Sequence, residues 1–183
     1  KSDEEILERA NRVVGILLNE NVDLVVVACN TATAVAIENL RANYPEVPFV
    51  GVEPYLNSFH RLKDVEVKKM VVLTTISTGK SERFKRLKSK LDPEGKISHF
   101  SLPELASLVE KGDVHGFNES LKLEISEELK GVREKGFNFS ILGCTHYPLI
   151  AKWIEEVTGT ETLSPCPYVA KRVVDLLTNK MSD

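Results

Sequence analysis

The chain has 183 residues, of which 42% are apolar and 28% charged, with a formal net charge of −3. That is the composition of a globular protein rather than a disordered or collagen-like one, and it offers no bulk positive field for nucleic acid or an anionic membrane. No apolar run reaches the ~20 residues that span a bilayer, and three cysteines at long spacings, without Cys-x-x-Cys, exclude a disulfide framework and suggest a reducing cytoplasmic setting.

Taken in order, Ser2-Asp3-Glu4-Glu5 reads as a capping box, and Ile6, Ala10, Val13, Val14 and Leu17 continue at helical spacing to about Asn19. Val22 to Ala28 is a near-continuous apolar run, the mark of a strand buried on both faces of a parallel sheet. Cys29 to Thr33 is the expected turn, and Ala34 to Ala42 a helix. Val47 to Val52 predicts a short strand, with Glu53-Pro54 opening another helix. Lys69 to Thr74 predicts a third buried strand, Thr75 to Gly79 a turn, and Lys80 to about Leu91 a helix whose basic cluster (Lys85, Arg86, Lys88, Lys90) is a solvated face. Ile97 to Phe100 is a weak strand. Pro103 to Lys111 and Gly116 to Lys135 are helical, the second strongly amphipathic.

Asn138 to Leu149 (NFSILGCTHYPL) then reads as strand, sharp turn and helix start, the helix running to about Val157. A short strand near Thr160 to Leu163 and a helix from Pro167 to Leu177 close the chain. Strand and helix alternate throughout, so an α/β doubly wound architecture with parallel sheets is expected, with ligands at the carboxyl ends of the strands.

Aligning Cys29 with Cys144 pairs Val22–Ala28 with Phe137–Gly143, and a helix follows each. Two pseudo-symmetric lobes account for this, with an active site in the cleft between them. The expected division is 1–57 plus 164–183 for the first lobe and 58–163 for the second.

A thiol with a free pKa of ~8.5 is activated at a helix N-terminus or beside a cation. Both cysteines are expected to have the first device, and His146 supplies the second to Cys144. Helix N-termini also offer N–H groups to a carboxylate, and Asn30, Thr31 and Thr145 add neutral donors. There is no cofactor motif. Two acid/base thiols among anion-seeking donors suit the movement of a proton on a small carboxylate-bearing substrate, one thiol taking it and the other returning one on the opposite face. The competing reading is that a free cysteine is an inert, buried small residue, and Cys166 is assigned to that class.

Ala28-Cys29-Asn30-Thr31-Ala32 and Leu142-Gly143-Cys144-Thr145-His146-Tyr147-Pro148-Leu149 resemble the two signature segments of the glutamate racemases, within the aspartate/glutamate racemase superfamily. The aspartate racemases resemble the second segment at Gly-Cys-Thr but typically carry an acid where His146 stands. Thr75 to Ser81 resembles the family's Thr-x-x-Thr-x-x-Ser turn, and Ser101 to Glu110 its segment with an acidic residue. The resemblance covers essentially the whole chain. It implies cofactor-independent interconversion of L- and D-glutamate for peptidoglycan synthesis, with Cys29 and Cys144 as the acid/base residues. His146 and Glu110 would assist proton transfer, and Asn30, Thr31, Thr75, Thr78 and Thr145 would hold the substrate. A homodimer is left open.

The family's opening Asp-Ser-Gly strand end and Pro-Tyr-Gly turn do not occur here; the chain begins where residues after them would lie, so an N-terminal segment of the first lobe is expected to be missing. Ser164-Pro165-Cys166 stands where a further Asp-Ser-Gly-like turn is expected.

Other readings compete. Thr74 to Ser81 nearly fits the P-loop pattern, although Thr74 replaces its first glycine. Cys29, Cys144 and His146 could hold zinc. A racemase of another acidic amino acid such as aspartate, or a non-catalytic dicarboxylate-binding protein, are the remaining alternatives. His60, His99 and His115 have no partner in sequence and read as surface residues. Glu110 would be an ordinary exposed helix-end acid but for the resemblance.

Overall fold

The structure, a computed structural model, describes residues 2–54 and 69–180. The expected helix after Glu53-Pro54, the expected 57/58 boundary and His60 lie outside the described residues. The chain divides into two compact units, Lys1–Glu53 with Pro165–Asp183, and Pro54–Ser164.

In the first unit, α1 (Asp3–Leu18) starts on the expected capping box. Ser2 Oγ accepts the Glu5 N–H at 3.2 Å, and Glu5 Oε2 accepts the Ser2 N–H at 2.7 Å, a cap of about 1 kcal/mol. Of the predicted stripe, Val14 is buried while Val13 and Leu17 are exposed. β1 (Val25–Val27) pairs in parallel with β2 (Phe49–Gly51), joined through α2 (Asn30–Asn43). Two expectations are corrected here. β1 pairs only with β2 among the described residues and Val26 is 40% exposed, so the run is not buried on both faces. The helix also begins at Asn30, not after a turn to Thr33, because the Cys29 side chain caps it. Thr33 ties α2 to the sheet: its hydroxyl donates to the Val27 carbonyl and accepts the Val52 N–H, both at 3.1 Å. Gly51 leaves it room, since a Cβ there would fall 2.4 Å from Thr33 Cγ2.

The second unit contains β3 (Met70–Thr74), α3 (Ile76–Lys80), α4 (Glu82–Leu91), β4 (Ile97–Ser101), α5 (Leu105–His115), α6 (Glu119–Glu128), α7 (Lys130–Lys135), β5 (Phe139–Gly143), a 3₁₀ turn (Tyr147–Ile150), α8 (Ala151–Thr158) and β6 (Glu161–Leu163). Its four strands are parallel in the order β4-β3-β5-β6. β3 and β5 are buried throughout, as their apolar runs require. Val71, Leu73 and Leu142 face a cluster that includes Leu105, Ile125 and Ile154, while Met70, Val72 and Ile141 face one that includes Phe84. Helices therefore cover both faces. The closing helix α9 (Cys166–Lys180) belongs to the first unit.

Three helix expectations change. The stretch predicted as a turn after Thr74 is the short helix α3, capped by Thr75, and a second cap at Ser81 starts α4. The predicted helix from Gly116 to Lys135 is two helices breaking at Leu129, where Gly131 passes the Phe100 ring with a would-be Cβ 3.1 Å away. Its buried stripe, Leu121, Ile125, Leu129 and Val132, nonetheless runs across the break. Finally, Tyr147-Pro148 opens a 3₁₀ turn, so Cys144 stands three residues ahead of it rather than at an α-helix N-terminus.

The chain passes from β3 to β4 on one side, then to β5 on the other side of β3. That reversal is a topological switch point, where open α/β sheets bind ligands beyond the strand ends. Thr74 and Gly143 are partners in register, so Thr75 and Cys144 leave the sheet side by side.

Candidate functional site

In the second unit, Cys144 follows β5 and is 7% exposed. Its sulfur lies 3.5 Å from His146 Nδ1. The other ring nitrogen, Nε2, lies 3.2 Å from Glu110 Oε1, on α5, in a side chain 63% exposed. A carboxylate at Nε2 holds the proton there, which leaves Nδ1 to accept from the thiol or, in the imidazolium, to donate to the thiolate. Cys144, His146 and Glu110 thus form one line along which a proton can be held or passed. Thr145, part-exposed, adjoins the cysteine.

Across the β3–β5 register, Thr75 Oγ1 accepts the Thr78 N–H at 3.3 Å and donates to Thr78 Oγ1 at 3.1 Å, with Thr78 buried. The predicted threonine pair is therefore assembled in one turn at the same sheet edge as Cys144. Tyr147 carries a feature the sequence reading passed over. Its hydroxyl is fully buried without a hydrogen-bond partner among the described residues, and burial, with the charges of Cys144 and Glu128, pushes its pKa far up. It stays a neutral phenol. A Tyr directly before Pro is a poor sequence signal for this, because it reads as packing.

In the first unit, Cys29 is exposed and caps α2, its sulfur accepting the Ala32 N–H at 3.4 Å. Asn30 is 4% exposed, and neither amide atom has a partner among the described residues. A buried orphan of this kind costs about 1–3 kcal/mol, which fits a group kept for a ligand. Thr31 is half-buried on the same first turn.

Several other residues depart from expectation. His99 is not a lone surface residue: its Nε2 lies 2.7 Å from the buried Thr74 hydroxyl and its ring packs against Phe84. Sequence alone gave no sign of it, since the partners are brought together only by the β3–β4 register. Cys166 is exposed rather than buried and begins α9. Lys88 is not purely solvated, for it pairs at 2.9 Å with a nearly buried Asp92. His115 is exposed, as expected. The P-loop reading fails because Ile76–Lys80 is itself helical, leaving no open loop to cradle phosphates. For zinc, no group of three or more His, Cys, Asp or Glu side chains stands in ligand geometry among the described residues.

A profile of the family described as Asp/Glu/Hydantoin racemase matches residues 1–173. A glutamate racemase of Clostridium novyi is 34% identical over 163 residues, covering 89% of this chain and 61% of that protein. One of Aliarcobacter butzleri is 33% identical over 180 residues, covering 96% and 67%. The chain thus spans about three fifths to two thirds of the length of these relatives. Among solved structures, the Escherichia coli glutamate racemase in complex with L-glutamate and the activator UDP-MurNAc-Ala superposes with a TM-score of 0.84 at 30% identity, over 97% of this chain and 67% of that one. The enzyme of Aquifex pyrophilus superposes with a TM-score of 0.62 at 34% identity, over 89% and 62%.

Proposed function

The chain belongs to the Asp/Glu/Hydantoin racemase family, and from that premise we propose that it interconverts L- and D-glutamate by moving the α-proton between two thiols. The observation that carries the reading is the line from Cys144 through His146 to Glu110. A thiolate on one cysteine takes the proton from Cα and becomes a thiol. The thiol of the other gives its proton to the opposite face and becomes a thiolate. No net proton or electron is exchanged, and the inverted amino acid leaves. The charge that develops on the α-carboxylate needs donors aimed at it, and the N–H groups at the start of α2, with Asn30, Thr31, Thr75, Thr78 and Thr145, are assigned that role.

Glutamate is favoured over aspartate by the relatives named glutamate racemase and by His146, where the aspartate racemases typically carry an acid. In this reading the protein works in the cytoplasm, supplies D-glutamate for peptidoglycan, needs no pyridoxal phosphate and functions as a homodimer. Among the described residues, no helix is long and apolar enough to cross a membrane. The test is incubation with L-glutamate or L-aspartate, with the product enantiomers resolved by chiral chromatography. D-Glutamate formed without added cofactor supports the reading. Turnover of aspartate alone, or of neither, refutes it.

A further inference from the structure

We propose that His99 is a positioning residue that holds the Thr75–Thr78 turn in place, and through it the substrate; the link to substrate rests on the racemase reading above.

The inference starts from the register of the sheet. β3 and β4 pair with Val72 opposite His99 and Thr74 opposite Ser101. His99 therefore lies beside the last turn of the strand that delivers Thr75. Its Nε2 is 2.7 Å from Thr74 Oγ1 and 3.4 Å from Ser101 Oγ. Thr74 is fully buried, so its hydroxyl cannot turn to solvent and the imidazole is the partner shown for it.

The same ring is the floor under α3. A Cβ on Gly79 would fall 2.5 Å from His99 Cε1, 2.8 Å from its Nε2 and 2.7 Å from Ser101 Oγ. The helix can approach only because residue 79 has no side chain. On its remaining side the ring packs against Phe84 of α4, with centroids 4.8 Å apart. One side chain thus touches the strand end before Thr75, the helix that contains Thr78, and the helix that follows.

His99 is not among the residues of the Cys144 line, so it has no direct part in proton transfer. Its effect is geometric: it sets where β3 stops and how close α3 sits. Loss of the ring leaves the Thr74 hydroxyl without that partner and removes the floor beneath Gly79. The turn then samples positions in which its two hydroxyls do not meet the substrate together. Binding should suffer more than the chemical step.

Three variants test this: His99→Ala, His99→Gln, whose amide can reach the Thr74 hydroxyl, and Gly79→Ala, whose added Cβ forces α3 and the imidazole apart. Amide hydrogen exchange reads the turn whether or not the protein turns over. In His99→Ala, exchange at Thr78 and Gly79 should rise about tenfold or more while Ile141 and Leu142 of β5 stay protected. His99→Gln should restore most of that protection. With glutamate as substrate, His99→Ala and Gly79→Ala should each raise KM about tenfold with kcat within about threefold. Unchanged exchange at Thr78 and Gly79 overturns the proposal, as does a rise that includes β5, which would make His99 mere core support. Altered exchange with an unchanged KM overturns the link to substrate. If the wild-type chain racemises nothing, the racemase reading fails, while the exchange data still decide whether His99 holds the turn.

Discussion

Thr74 and Gly143 are partners in parallel register at the ends of β3 and β5, and a Cβ on Gly143 would stand 2.5 Å from the Leu73 carbonyl oxygen and 2.9 Å from Thr74 Cγ2. The glycine before Cys144 is thus demanded by a close approach of backbone. Gly143→Ala should destabilise the protein by about 1–3 kcal/mol, the usual cost of overpacking, and displace Cys144. Urea denaturation checks the first effect, and a stability equal to wild type would show that the strand exits can part without cost.

The line from Cys144 to Glu110 predicts unequal effects along its length. His146→Ala should slow both glutamate racemisation and alkylation of Cys144 by iodoacetamide at neutral pH, each by at least about tenfold. Glu110→Gln should stay within about fivefold of wild type, because an exposed ion pair contributes about 0–1 kcal/mol. Mass-resolved alkylation rates at Cys144 separate the two. Equal losses would mean that Glu110 does more than orient the ring.

Asn30 gives a test in which stability and function part. Its buried amide has no partner among the described residues, so Asn30→Leu, similar in size, should leave the melting temperature unchanged or raised. The same change should weaken glutamate binding by about tenfold or more, since a buried amide kept for a ligand has lost both its donor and its acceptor. A marked fall in melting temperature with intact affinity would reassign Asn30 to structure.

His99 also marks the pH dependence of stability. Burial, assisted by the Lys88 cation, holds its pKa below the usual histidine value. Lys85, Lys88 and Asp92 line the same hollow, and Asp92 is engaged by Lys88 and by the N–H groups of Lys96 and Ile97. Burial opposes ionisation of Asp92, but these donors outweigh it and hold its carboxyl below the usual range. The unfolded chain protonates a histidine at about 6.5, so below that pH it binds more protons than the folded form. The contribution of His99 is therefore full above about pH 6.5 and is lost as pH falls through the lower folded value. Asp92 follows the same sign further down, in the carboxylate range. Stability of wild type relative to His99→Gln, measured at about pH 8, 6.5 and 5.5, should decline on the acid side; a constant difference would contradict the assignment.

Much of this architecture was legible because local signals agreed with the fold. Ser2 and Glu5 formed the box they spell, and the runs at Lys69 and Asn138 became strands buried on both faces. Three of the misreadings concern capping, which is local and cheap, and burial, which is not. Cys29 and Thr75 cap helices that begin within the predicted turns, and Val26 is exposed because a strand's second face depends on neighbours that its own residues do not encode. The site was legible where its residues are adjacent, as in Cys144-Thr145-His146. Glu110 was reached only through family likeness, and His99 and Tyr147 not at all, since their meaning lies in register and burial.

The two-thiol account is tested most directly by incubating L-glutamate with the protein in heavy water, without pyridoxal phosphate, and following Cα by proton NMR and chiral separation. The account predicts D-glutamate carrying deuterium at Cα, with racemisation abolished in both Cys29→Ala and Cys144→Ala. Exchange of the α-proton of both enantiomers at the full wild-type rate in either variant would contradict it.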